Sequence, residues 1–285
     1  MSRPRAFAAM VGLAALVLAG GIWSQASARS VGGRISLSSL YWMFYKEDFN
    51  HINAKDPALI RQIVAGPAIY VLEQRLGGTR LPGKVIPAEI FFSSAGLQAA
   101  IDHHRVIPGV KFVTDDLENL RITPAPERKN PVPAMKDFAH AALANGYQPI
   151  LVPGRDLMRV PQAVCSQQSD KTISQAYLRC GVPKAAAYAP IYVIQASAVE
   201  TDLSALRQLV QQGAAQARKA NPNVIVFATL SVSPNGADIP YTAVVKAAAP
   251  GDEGDVVVAV RSILEKNDDW MTRSQLVAER IDRFR

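Results

Sequence analysis

"VKFVTDDLENL", residues Val110–Leu120, places three carboxylates, Asp115, Asp116 and Glu118, directly behind an apolar run. The run is nearly continuous and does not alternate with polar residues. A strand covered on both faces has this pattern, and such strands belong to parallel sheets flanked by helices. The carboxylates then mark the point where the strand leaves its cover, at its carboxyl end.

The pattern repeats on both sides of this stretch. Strands are expected at "AEIFF" (88–92), "VKFVT" (110–114), "YQPILVP" (147–153), "IYVIQA" (191–196), "VIVFATL" (224–230) and "DVVVAV" (255–260). Between them lie helical patterns: "SAGLQAAIDHH", then "AMKDFAHAALANG" with Gly146 as its stop, then "DLSALRQLVQQGAAQARKANPN" with Asp202 as its N-cap. "YTAVVKAAA" and "TRSQLVAERIDRF" supply two more, while the Pro-rich "RITPAPERKNPVP" reads as a turn region. Two earlier runs, "LYWMFY" and "AIYVLE", raise the strand count to eight. The expected fold is α/β, a (β/α)₈ TIM-type barrel with an irregular or incomplete N-terminal end. A doubly wound open sheet is the rival. No GxGxxG or other phosphate loop follows a strand, so no nucleotide cofactor is expected.

The N-terminus has the layout of a secretory signal: Arg3 and Arg5, an apolar stretch from Phe7 to Trp23, and small residues Ala26-Ser27-Ala28 before a cleavage point. Residues 1–28 are read as this signal and 29–285 as one domain. An uncleaved N-terminal anchor is the alternative, and the only expected route to a membrane. Cleavage lowers the formal charge from +7 to +5, since Arg3 and Arg5 leave with it. The remaining basic residues are scattered, which argues against nucleic acid as a partner. Export and an even cysteine count predict a Cys165–Cys180 disulfide. It would staple an insertion near 160–190, placed over the carboxyl face of the barrel.

In a parallel barrel the strand ends converge on one mouth. Polar residues recur at these ends: Asp115, Asp116 and Glu118, then Arg155 and Asp156, then Gln195 and Glu200, then Ser231 and Ser233. Asp116 and Glu118 are two apart and fall on the same side of an extended strand. Such a pair can divide acid and base roles, as glycoside hydrolysis requires. Ordinary roles stand beside these: Asp115 as a cap or solvated group, Glu200 complementing a helix dipole, Gln195 as a buried amide, Arg155–Asp156 as a salt bridge. No metal site is expected. His103 and His104 diverge as helix neighbours, and His51 and His140 are isolated.

These strand ends resemble those of secreted bacterial (β/α)₈ proteins of glycoside-hydrolase-like type. The resemblance rests on "GVKFVTDDLENLRITP", "FAHAALANGYQPILVPGRDL" and "IYVIQASAVETD…ARKANPNVIVFATLSVSP", about a third of the chain after the signal. "DDLE" is also similar to the end of the acidic chitinase strand motif DxxDxDxE. The two earlier Asp positions of that motif are Lys111 and Thr114 here. The resemblance implies a glycan-active enzyme with Glu118 as acid/base and Asp116 tuning it. Asp115, Arg155, Asp156, Gln195 and Glu200 would hold a polysaccharide or cell-wall glycan. Trp42, Tyr45, Tyr177 and Tyr188 are the aromatic residues available to stack on sugar rings. A non-catalytic extracellular carbohydrate- or ligand-binding protein is the alternative.

Overall fold

The computed structural model describes residues 42–45, 69–73, 85–166, 170–199, 201–231 and 256–261, with the single residues Pro57 and Arg61. The expected signal at 1–28, the helices expected at "YTAVVKAAA" and "TRSQLVAERIDRF", and Glu200 lie outside the described residues.

All eight expected strands form. They are β1 (Trp42–Tyr45), β2 (Ile69–Glu73), β3 (Val85–Phe91), β4 (Phe112–Asp115), β5 (Gln148–Leu151), β6 (Ile191–Gln195), β7 (Ile225–Ser231) and β8 (Val256–Arg261). They pair in parallel and in chain order, so the protein is an α/β fold built on one eight-stranded parallel sheet. Parallel neighbours require crossovers. These are α1 (Ser94–Asp102), the short α2 (Ala125–Lys129), α3 (Pro131–Ala144), α4 (Ile173–Arg179) and α5 (Leu203–Ala220).

Side chains alternate across each strand and so separate into two cores. Ile86, Ala88, Ile90, Phe112, Ile150, Val152, Ile191, Val193, Ile225 and Phe227 share one cluster on the inner face. Val113, Leu117, Leu151, Tyr192, Ile194, Val226 and Ala228 face the helices instead. Met43 of β1 belongs to the same inner cluster as Phe227 of β7. A flat sheet, at about 4.8 Å per strand, would hold those two strands about 29 Å apart. The sheet is therefore curled, and β8 lies beside β1. No hydrogen-bonded register joins β8 to β1 among the described residues.

Helix ends follow local chemistry. Asp202 caps α5 by accepting the N–H groups of Ser204 and Ala205, both at 3.0 Å. Gly146, at φ +81°, turns the chain after α3 in the left-handed region open to glycine. The expected Pro-rich turn region instead contains α2 and starts α3. Its prolines fall in first turns, where the missing N–H has no intrahelical acceptor to lose.

Residues 161–190 belong to the β5–β6 crossover. Ala176, Tyr177, Leu178, Val182, Ala185 and Ala186 are buried in the outer core, and the 3-10 turn Val182–Tyr188 packs on α3 and α5. The expected disulfide is present, with the Cα atoms of Cys165 and Cys180 5.8 Å apart. Among the described residues no helix is long and apolar enough to cross a membrane.

Phe138 anchors the outer core on α3, fully buried, with its ring centroid 6.4 Å from that of Phe91. Phe138→Ala should lower unfolding free energy in urea by about 3–5 kcal/mol, the usual cost of emptying an aromatic site.

Candidate functional site

The carboxyl edge of β4 to β6 holds Asp115, Asp116, Glu118, Arg155, Asp156 and Gln195; Ser233, like Glu200, lies outside the described residues. The β4–β5 ladder continues past both strand ends and fixes them. Val152 N–H donates to Asp115 O at 2.9 Å, and Gly154 N–H donates to Leu117 O at 2.7 Å. Asp116 N–H donates to Phe91 O at 2.8 Å on the other side. Residues 115–118 are thereby held between β3 and the exit of β5.

The alternation of β4 decides which carboxylates meet. Phe112 lies on the inner face, so Asp116, four residues on, continues that face. Glu118 follows two residues later. The side-chain amide of Gln195, at the end of β6, reaches both: its Nε2 lies 2.7 Å from Glu118 Oε1 and 3.4 Å from Asp116 Oδ1. The expected pairing of Asp116 with Glu118 on one side is therefore present, with Gln195 joined to it.

Asp156 completes the cluster. Its Oδ2 accepts Asn119 N–H at 3.1 Å. A methyl group placed on Gly154 would lie 2.4 Å from Asp156 Oδ1 and 3.0 Å from Glu118 Cγ. Both acidic side chains thus close over the same bare α-carbon. Burial raises the Asp156 pKa above the usual carboxylate value, and the Glu118 charge adds to the rise. Asn119 and Leu157 N–H groups and Arg159 pull the other way.

Arg155 and Asp156 do not turn to each other. Arg155 donates from Nε to the backbone carbonyl of Gln195 at 2.8 Å and from Nη1 to Ser174 Oγ at 2.7 Å. Burial is the main cause of a lowered pKa at this guanidinium. Arg155 is therefore a brace behind Gln195, where the sequence suggested a substrate ligand.

Asp115 is corrected as well. It was expected to bind substrate beside Asp116, but its odd place in the alternation turns it outward, between Val113 and Leu117 in the helix layer. It is 1% exposed, and neither carboxylate oxygen has a hydrogen-bond partner among the described residues. Burial pushes its pKa well up, with Glu127 and then Asp116 adding to the rise. Glu127 is occupied at the start of α1, accepting Ser94 N–H at 3.0 Å and Ser94 Oγ–H at 2.8 Å.

Gly154, Asn119 and Ser174 were not singled out from the sequence. Gly154 was visible in "VPGRD" between a strand and a charged pair; the other two carry no sequence signal. The aromatic platforms fail where they can be described. Tyr177 is fully buried, with its hydroxyl 2.5 Å from that of Tyr192. Tyr188 packs edge-on against His140 beneath Lys136. Among the described residues no three His, Cys, Asp or Glu side chains converge with metal-ligand geometry.

No family model matches this chain, and no curated protein is similar to it. Among solved structures it is similar to a phosphonomutase from Burkholderia cenocepacia J2315. That likeness has a TM-score of 0.42 and 13% identity, over 86% of this chain and 94% of that one. A short chain dehydrogenase in complex with NADP, from the same organism, matches with a TM-score of 0.25 and 16% identity. It spans 86% of this chain and 93% of the other. Neither is a glycan-active protein, and neither likeness is strong enough to pass a function on. The glycan-active expectation is overturned.

Two substitutions check this description. Asp115 is protonated more readily in the folded chain than in the unfolded one. The Asp115 contribution to folded stability is therefore greatest below about pH 4, the ordinary Asp range, and falls as pH rises from there to the raised folded value, then levels off. Asp115→Asn should remove that slope in urea titrations and raise stability at pH 7, because the linkage cost of the raised carboxyl disappears. Gly154→Ala should destabilise by about 1–3 kcal/mol through overpacking. Its cost should shrink in an Asp156→Ala background, because the nearest obstructing atom is gone.

Proposed function

We propose that the sheet closes into a (β/α)₈ barrel and that its mouth binds a small cationic, amine-bearing molecule and transfers a proton at or beside the bound nitrogen. One observation carries this: Asp116, Glu118 and Asp156 gather around one amide and one glycine, while the arginine beside them is spent on a backbone carbonyl and a serine. Three carboxylates on one strand edge supply charged acceptors, and charged acceptors favour an ammonium donor. Glu118 is the proton acceptor in this scheme. Asp156, whose pKa burial and the Glu118 charge both raise, is the acid. Asp116 holds the ligand's positive charge. The curling of the sheet and the nearness of β8 to β1 support closure. The disulfide supports an oxidising compartment, and so the export that the N-terminal segment predicts.

Chemical-shift titration with n-butylammonium and with butyrate tests the proposal. Butylammonium should bind and perturb Gln195, and butyrate should not. Glu118→Gln should weaken butylammonium at least tenfold, about 1.4 kcal/mol. Preferential binding of butyrate, or an unchanged affinity in Glu118→Gln, would sink it.

A further inference from the structure

We infer that Arg155 is a positioning residue coupling the disulfide-bound crossover to the carboxylate cluster through Gln195. The path is continuous. Cys180 caps the end of α4 and is bonded to Cys165, where the crossover begins. Next to it Arg179 grips Asp170 at 2.7 Å and donates to Ser166 O at 3.0 Å, so the exit of α4 is tied to the start of the crossover. The entry of α4 is fixed by a reciprocal cap, Thr172 accepting Gln175 N–H while Gln175 Oε1 accepts Thr172 N–H.

Ser174 sits in that first turn and accepts Arg155 Nη1–H, and the same guanidinium holds the Gln195 carbonyl from Nε. Gln195 is the last residue of β6, and the peptide that follows is held on two sides: Ala196 N–H donates to Thr229 Oγ1 of β7 at 3.2 Å, and Arg155 holds the Gln195 carbonyl. The Arg155 bond orients that final peptide's carbonyl, and the Gln195 side chain spans Glu118 and Asp116. A planar guanidinium with donors in a fixed fork suits this double duty, which a lysine ammonium on a flexible stem does not. Arg155 thus acts on the cluster through Gln195, without touching a ligand. The coupling is read from geometry and rests on the amine-site proposal only for its ligand-binding readout.

The test follows the Gln195 side-chain amide by ¹⁵N NMR in the disulfide-intact protein. In wild type its shift should depend on pH. Arg155→Met should raise its hydrogen-exchange rate at least tenfold and flatten that pH response, with signals from the inner core unmoved. Ser174→Ala, which leaves Arg155 in place and removes one of its two contacts, should act in the same direction by about threefold; it covers the case in which Arg155→Met does not fold. Reduction of the disulfide should resemble Ser174→Ala. Butylammonium affinity should fall in step with the amide response. A Gln195 signal that stays unchanged in a folded variant, or on reduction, overturns the coupling. A Gln195 response in a protein that binds no amine supports the coupling and defeats the amine site alone.

Discussion

A parallel sheet threaded in chain order leaves every strand's carboxyl end on one edge, and everything at the site depends on that constraint. It brings residues 118, 156 and 195 together although a crossover of dozens of residues separates each from the next. It also sets which side chains can meet. With a side-chain period of two, a residue at a strand end is committed to the inner or outer face by the phase of the apolar residues before it. In β4 that phase is fixed by Phe112 inside and Val113 outside. Asp115 and Asp116, neighbours in sequence, are consequently sent to opposite sides of the sheet.

The two sides treat a carboxylate differently. Asp116 is 5% exposed yet shares the Gln195 amide with Glu118 and adjoins backbone N–H groups that continue the β4–β5 ladder. Asp115 stands among apolar side chains, beside two further acids, with no donor for either oxygen among the described residues. Desolvation dominates there and pushes its pKa well up. Adjacent residues of one chemical type thus have opposite surroundings. One belongs to a polar cluster at the edge, and the other is a carboxyl whose charged form the helix layer disfavours.

Much of this was legible in sequence, and the division is physical. All eight strands announced themselves as apolar runs, because strands covered on both faces carry few polar residues. Asp202, Gly146 and the cysteine pair were readable because caps, left-handed turns and bridges depend on residue type. The pairing of Asp116 with Glu118 followed from spacing, and the outward turn of Asp115 was implicit in the same alternation. What could not be read depends on contacts between distant segments. Nothing in "SQAYLRC" distinguishes Tyr177 as a core residue from an exposed platform, since its burial is decided by Tyr192 and by α3 and α5. Ser174 matters only because Arg155 reaches it across nineteen residues. The N–H of Asn119 matters only because Asp156 arrives beneath it.

On the amine-site proposal, the placement of Gln195 also sets how strongly the site would hold a cation. A ligand ammonium that approaches Glu118 Oε1 competes with a donor already 2.7 Å away. Binding is then an exchange in which one amide hydrogen bond is released as charge-assisted ones form. Exchange of a neutral donor for a charged one leaves a net gain, since charge-assisted hydrogen bonds are roughly twice as strong. That gain is less than the full worth of the new bonds. The displaced amide must find another acceptor at the mouth, and Asp116 Oδ1, at 3.4 Å, is the nearest recorded candidate. An amide anchored at its backbone can swing between those two oxygens without moving β6. The same brace that holds Gln195 in place therefore also lets it yield.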